Sequence, residues 1–208
     1  MRWVIRVVLV LAALAYLLAG RPRGVAAEQP IDWRRDPVQV PTDRPPFELQ
    51  TSRGRVTLTP RASYDVAAVV ERAEPYWLDA TAFLSPFDLA LAWGDVPSPE
   101  IRNRIDVDQS WRFFFWRTSD PSIDVDYVIR HSANTHVIPA SANVRRALSI
   151  VDGGDPVRLR GLLVDVASER GLRWNTSLVR DDHGDRGCEI LWVESVQIGG
   201  RVYESQRR

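Results

Sequence analysis

The chain has 208 residues, which suits one domain with extensions, and its 27 basic and 27 acidic residues leave no net charge at pH 7. This balance gives no general attraction to nucleic acid or to an anionic membrane, so we expect no nucleic-acid partner. Every basic residue is arginine, which excludes a lysine nucleophile or phosphate-loop lysine, and the single cysteine, Cys188, excludes an intramolecular disulfide and a cysteine-based zinc cluster.

Residues 1–23 are predicted to be an N-terminal signal anchor. An uncharged apolar run at 7–20 lies between pairs of arginines, and counting from Trp3 lengthens it to about 18 residues, enough for a marginal single span. The short amino terminus favours export of everything that follows. Cleavage after the small residues at 25–27 would instead give a secreted form.

Residues 24–46 are predicted to be a linker. They hold five prolines among charged residues and show no helical or strand period, which is typical of a semi-extended polyproline spacer. A single globular domain is expected at 47–204, followed by a polar tail at 205–208.

Strands dominate the predicted domain, with short helices between them. In chain order the patterns predict strands at 55–59 and 63–72, with a helix as the alternative for the second, then a short helix at 85–93 and a short turn at 98–105. Strands at 111–117 and 123–129, a polar loop at 131–139, a helix at 144–151, and strands at 155–166, 172–179 and 188–198 follow. Ser85, Pro86 and Asp88 supply the cap, the first position and the capping-box acid of the first helix. Pro60 separates the first two strands.

The strand at 155–166 changes its apolar parity. Val157 and Leu159 occupy odd positions, whereas Leu162 and Val164 occupy even ones, which implies one extra residue in the strand. Gly161 lies at the change and predicts a β-bulge. Because bulged strands bend sheets, we predict a β-dominated α+β fold: a small, strongly bent sheet or partly open OB-like barrel with short inserted helices.

Three stretches resemble a group of uncharacterised bacterial proteins that carry an N-terminal membrane segment. They are SPFDLALAWG at 85–94, SANTHVIP at 132–139 and RDDHGDRGCE at 180–189. The resemblance covers about residues 64–198 and implies an exported bacterial protein. No activity is known for the group, so the resemblance implies no catalytic residue.

The first candidate site combines Cys188, His136 and Asn134. A cysteine nucleophile needs a histidine to take its proton and a polar group to orient the imidazole ring. All three residue types lie on two predicted loops that a compact sheet can bring together. The alternative is structural, with Cys188 as the first inward residue of a strand and Asn134 as a turn residue.

No metal or cofactor is predicted. His131, His136 and the acidic loop at 181–185 contain ligand types, but aspartate–glycine clusters are mostly solvated turns. Paired aspartates at 106 and 108, and at 124 and 126, fit the solvated face of a strand better than a glycosidase pair.

A binding surface is the second candidate site. Trp111, Arg112 and Trp116 belong to an aromatic segment that also contains two arginines, and Arg180 lies in a later polar loop. Aromatic rings with arginines stack sugars or bases, or anchor a protein interface, although the same rings could form ordinary core.

The sequence favours a membrane-tethered extracytoplasmic binding or scaffold domain of the bacterial cell envelope. Its expected location is the inner membrane, with a periplasmic domain and an envelope protein or polymer as partner. The alternative is a cysteine-dependent hydrolase or transferase that uses Cys188, His136 and Asn134. Outside the reducing cytoplasm, Cys188 could also join two copies into a homodimer.

Overall fold

A computed structural model describes residues 20–179 and 188–205 of the chain. Strands make up 48% of the structure and helices 10%, which confirms the β-dominated fold. The predicted anchor lies almost wholly outside the described residues, as do Arg180 and the acidic loop at 181–185. Within the described ranges, no helix has the length and apolar character needed to cross a bilayer.

Twelve strands and three short helices form the described part of the chain. The strands are β1 (Val25–Ala26), β2 (Val38–Pro41), β3 (Phe47–Thr51), β4 (Gly54–Pro75), β5 (Phe87–Ala92), β6 (Asp106–Ser110), β7 (Phe113–Arg117), β8 (Ser132–Pro139), β9 (Pro156–Ser168), β10 (Arg173–Trp174), β11 (Glu189–Ile198) and β12 (Arg201–Glu204); the helices are α1 (Pro99–Arg102), α2 (Val125–Arg130) and α3 (Ala142–Leu148).

Five strands pair in a ring: β4 with β5, β5 with β8, β8 with β11, β11 with β9, and β9 again with β4. The β8–β11 pair is parallel and the others are antiparallel. Numbered along the chain, the ring runs 1-2-3-5-4. The arrangement confirms the bent, partly open OB-like barrel that the sequence predicts. A separate β6–β7 hairpin lies between the second and third barrel strands in the sequence.

The barrel strands separate two apolar clusters. Along β9, odd positions such as Val157, Leu159 and Leu163 face the larger cluster, and even positions such as Leu162 and Val164 face the second. The two-residue period is therefore unbroken, and the predicted bulge at Gly161 is wrong. The parity changes because the second cluster covers only the later half of the strand.

The bulges lie in the two neighbours of β9. Arg61 is the extra residue of β4 and Glu194 is the extra residue of β11. Pro60 does not end its strand, because it sits beside the bulge, where a missing N–H is tolerated. Gly161 serves a different need: a Cβ there would overlap the carbonyl oxygen of Trp192 and approach its carbon to 2.9 Å. Glycine allows β9 and β11 to approach at the bulge.

The predicted helix at 85–93 is wrong, since the segment forms β5. Leu89 and Leu91 face the larger cluster, while Asp88 points to the opposite face. The strand pairs with β4 on one side and β8 on the other, and these long-range ladders override the local capping signals.

Two further predictions of secondary structure are wrong. The predicted strand at 123–129 forms α2, which begins where the Asp124 side chain accepts a hydrogen bond from Tyr127 N. The predicted polar loop at 131–139 forms β8, which is almost wholly buried. The predicted helix at 144–151 is confirmed as α3, with Ser141 as its N-cap.

The proline-rich residues 24–46 lie along the barrel and do not extend from it as a spacer. Val25 and Ala26 pair with β12, and β2 pairs with β4. The Trp33 carbonyl accepts a hydrogen bond from the Gly94 amide. Prolines leave few donors for regular pairing, so this segment attaches through two short strands and scattered contacts.

Candidate functional site

Three adjacent barrel strands present polar residues on one face. Asp88 on β5 lies directly opposite His136 on β8, and His136 lies opposite Ile190 on β11. Asn134 shares the His136 face because the two residues are two apart, and Cys188 precedes β11 with the same parity as Ile190. The structure therefore brings together the three residues that the sequence predicts as a catalytic group.

The side-chain amide of Asn134 contacts the cysteine sulfur. Its Nδ2 donates to Cys188 Sγ at 3.6 Å and to the Arg112 carbonyl at 2.8 Å, while its Oδ1 accepts from Gln109 Nε2 at 2.7 Å. Asn134 is buried, so these bonds fix its amide. Cys188 is half-buried.

His136 lies between an acid and an aromatic ring. Its Nδ1 is 2.9 Å from Asp88 Oδ1, at an orientation that forms no hydrogen bond, and its ring centroid is 4.7 Å from that of Trp174. The Asp88 side chain is fully buried and that of His136 is 4% exposed. The structure shows no hydrogen bond between His136 and Cys188. Both residues line the same cavity.

Arg112 projects from the tip of the β6–β7 hairpin into this polar face. Its guanidinium donates to Asp79 through Nε and Nη2, to Asp88 Oδ1 through Nη1 at 2.7 Å, and to the Ser85 carbonyl through Nη2 at 2.9 Å. The guanidinium carbon also lies 3.9 Å from the ring centre of Tyr76. The guanidinium of Arg112, which the sequence predicts as a binding group, therefore forms its hydrogen bonds with other residues of the protein.

The hairpin turn uses an unusual backbone. Trp111 and Arg112 are its central residues, with φ of 54° and 70°, and they are the described non-glycine residues with positive φ. Such conformations cost about 1–3 kcal/mol each and persist only when other contacts determine them. Here the Arg112 amide donates to Tyr76 Oη at 3.0 Å while its carbonyl accepts from Asn134.

The groups around Arg112 have shifted pKa values. Desolvation acts to raise the pKa of Asp79, but hydrogen bonds from Thr81 and Arg112 outweigh it and hold that pKa below its ordinary value. Desolvation raises the pKa of Tyr76, which keeps its hydroxyl protonated at neutral pH. Asp79 therefore stays ionised beside Arg112, and Tyr76 stays neutral.

A cavity of about 220 Å³ opens on the site. A water-sized group occupies about 30 Å³, so the cavity has room for about seven such groups. The residues that line it are Thr81, Arg112, Phe113, His136, Leu172, Arg173, Trp174, Asn175 and Cys188. A small polar or acyl group fits this volume, and a long chain would extend beyond it.

Exposed apolar side chains flank the hairpin and the neighbouring loop. Trp111 is 88% exposed, and Trp77 and Leu78, beside Tyr76 and Asp79, are 77% and 95% exposed. Trp116 differs, because it is half-buried against the cluster that contains Ala92. Of the predicted aromatic surface, Trp111 is the residue most available to a partner.

Among residues 20–179 and 188–205, no group of three or more histidine, cysteine, aspartate or glutamate side chains is arranged to hold a metal ion. His131 lies apart from the site, with its Nδ1 2.8 Å from the Tyr127 carbonyl and its ring stacked on that tyrosine at 3.9 Å.

Sequence reasoning missed Asp88, Asp79, Gln109 and Trp174 as members of the site. Asp88 was detectable, because an acid inside the alternating apolar segment at 87–92 would be buried if that segment were a strand. The other three approach through loops and the hairpin, and no local pattern marks them.

No protein-family model, curated protein or solved structure matches the chain.

Proposed function

We propose that this protein is a cysteine-dependent acyl-transfer enzyme, a hydrolase or transferase, with Cys188 as nucleophile. The observation that carries the proposal is that Asp88 on β5, His136 on β8 and Cys188, just before β11, lie on one face of the barrel. His136 and Cys188 line a cavity there, and Asn134 is bonded to the sulfur. A cysteine nucleophile needs an imidazole as base and a polar or acidic group to orient that imidazole, and this face of the barrel carries all of these residue types.

The reaction assigns one task to each residue. His136 takes the thiol proton on Nε2, since its Nδ1 faces Asp88, and the thiolate attacks the carbonyl carbon of an ester, thioester or amide. A carbon–sulfur bond forms, the bond to the leaving group breaks, and His136 returns the proton to that group. Water then cleaves the thioester and regenerates the thiol; an alcohol or amine in place of water makes a transferase.

The proposal is tested on the full-length chain by two probes. Iodoacetamide labelling of Cys188 against pH should show an apparent pKa well below the free value of about 8.5. Incubation with p-nitrophenyl acetate should add one acetyl group to the protein, and Cys188→Ala should abolish the addition. His136→Gln should slow acetylation at least tenfold, whereas His131→Gln, a histidine outside the site, should leave it unchanged.

Two results would overturn the proposal. The first is labelling of Cys188 only after unfolding, which would mean a structural cysteine. The second is equal acetylation in the His136→Gln and His131→Gln variants, which would mean that His136 does not activate the thiol.

A second candidate function is binding, favoured by the exposure of Trp111, Trp77 and Leu78. OB-like barrels bind ligands on the face of their second and third strands and on adjoining loops. Here those strands are β5 and β8, and the loop after the first barrel strand carries Trp77 and Leu78. In this reading residues 1–23 tether the domain at the periplasmic face of a bacterial inner membrane, and its ligand is an envelope saccharide that stacks on Trp111.

Titration with N-acetylglucosamine oligomers tests the binding function. Saturable quenching of tryptophan fluorescence that weakens at least fivefold in Trp111→Ala would support it. No change in fluorescence up to millimolar concentrations would remove this ligand class.

A further inference from the structure

We infer that Arg112 is a positioning residue that sets the reactivity of Cys188 through two contacts, one to Asp88 beside His136 and one to Asn134 beside the sulfur. The inference rests on the proposed cysteine chemistry and concerns its control. Arg112 itself is not a nucleophile, base or acid, because its guanidinium donates to Asp79, Asp88 and Ser85.

Two separate contacts connect Arg112 to the reacting groups. Through its side chain, Nη1 donates to the Asp88 oxygen that also faces His136 Nδ1, at 2.7 Å and 2.9 Å. Through its backbone, the carbonyl accepts from the Asn134 nitrogen that also donates to Cys188 Sγ. One residue therefore holds the acid beside His136 and the amide beside the sulfur.

Both contacts depend on the conformation of the hairpin tip. A left-handed residue turns its carbonyl and side chain in directions that a right-handed or extended residue would not, and Arg112 is left-handed. The bonds to Asp79, together with the Tyr76 ring, hold it there with a side chain that is only 14% exposed. The strain has a specific result: it directs the carbonyl to Asn134 while the guanidinium reaches Asp88.

Lysine cannot replace this arrangement. The Asp79 carboxylate receives a forked contact from Nε and Nη2, while Nη1 serves Asp88 and Nη2 also reaches the Ser85 carbonyl. A lysine ammonium is a single compact donor group and cannot span the two carboxylates in the same way. The expected effect of Arg112→Lys is therefore close to that of Arg112→Gln.

The test compares the pH profile of Cys188 alkylation by iodoacetamide in full-length variants. Arg112→Gln and Arg112→Lys should each slow labelling at pH 7 about tenfold and move the midpoint of the profile to higher pH. Arg158→Gln is the matched control, because Arg158 also forms a double contact with one aspartate, Asp65, at 2.7 and 2.6 Å, outside the cavity lining. Its profile should match wild type.

Chemical rescue separates positioning from a general loss of structure. In Arg112→Ala, millimolar methylguanidinium should occupy the space between Asp79 and Asp88 and restore at least part of the labelling rate. It should have no effect on wild type or on Arg158→Gln.

The outcomes distinguish this inference from the proposed function. If wild-type labelling already has the midpoint of a free thiol, the cysteine chemistry fails and the inference fails with it. If wild type is activated but Arg112→Gln and Arg112→Lys retain its profile, Arg112 only anchors the hairpin and the inference alone is overturned. The same conclusion follows if Arg112→Ala is slow but methylguanidinium restores nothing.

Discussion

Replacing Gly161 by alanine tests how the barrel closes. The added Cβ would lie 2.9 Å from the Trp192 carbonyl carbon and 3.2 Å from the Glu194 nitrogen, and it would overlap the Trp192 oxygen. Carbon atoms pack at about 3.5–4.0 Å, so the carbon contact alone requires β9 and β11 to separate locally by about 0.6–1 Å, and the overlap with the Trp192 oxygen requires more. The atoms that obstruct the methyl group are backbone and cannot rotate away.

The expected cost combines two effects. Overpacking a dense interior costs about 1–3 kcal/mol, and stretching two ladder hydrogen bonds beside the bulge costs about 1–3 kcal/mol more. We therefore expect the free energy of unfolding to fall by about 3 kcal/mol, which for a chain of this size lowers Tm by about 6–12 °C. Thermal unfolding followed by circular dichroism measures the shift.

Gly200→Ala is the matched control, because a Cβ at Gly200 meets nothing within 4 Å and the residue has no left-handed backbone. If the Gly161→Ala and Gly200→Ala variants melt within about 1 °C of each other, close approach of β11 is not the reason for glycine at position 161. The explanation given above for the parity change along β9 would still stand, since it rests on the two clusters.

Two further predictions concern pH and local structure. The lowered pKa of Asp79 means that its ionisation stabilises the folded state above the unfolded pKa of about 3.9, and that this contribution is lost as pH falls through the folded pKa; urea unfolding between pH 7 and pH 3 should show a smaller acid-induced loss of stability in Asp79→Asn than in wild type, and equal losses would refute the assignment. Asp124→Ala should lower the unfolding free energy by about 1 kcal/mol by removing the cap of α2, and Asp126→Ala should cost clearly less, whereas equal effects would argue against the cap.

The sequence predicts the barrel class but exchanges strand and helix at two places, for related reasons. At 85–93 a good cap and proline indicate a helix, yet the segment is buried on both faces and pairs with β4 and β8. At 123–129 alternation indicates a strand, yet the Asp124 cap starts a helix that contacts β8. Local signals of comparable strength point both ways: long-range strand pairing decides the outcome at 85–93, whereas at 123–129 the Asp124 cap accompanies the helix.

The candidate site, too, could be predicted from the sequence only in part. Residue chemistry was enough to propose Cys188, His136 and Asn134, because the chain has one cysteine and three histidines. Asp88 and the positioning contacts of Arg112 were out of reach, since they depend on which strands become neighbours and on a left-handed turn between aromatic residues. Strand topology, which composition does not reveal, places Asp88 and Arg112 in the candidate site.

The polar cluster is hard to explain as a structural anchor. Among the described residues, Asp88 Oδ2, Gln109 Oε1 and His136 Nδ1 are buried without a hydrogen-bond partner, as are atoms away from this cluster such as Glu71 Oε1 and Trp93 Nε1. Each such atom either meets a ligand or water in the cavity or costs about 1–3 kcal/mol, against a total stability of about 5–15 kcal/mol for a typical domain. Apolar contacts would fix the hairpin at lower cost, since well-packed apolar residues often replace buried ion pairs without loss. The proposed chemistry at Cys188 would give a reason to keep an acid, an imidazole and a thiol on one face of the barrel despite that cost.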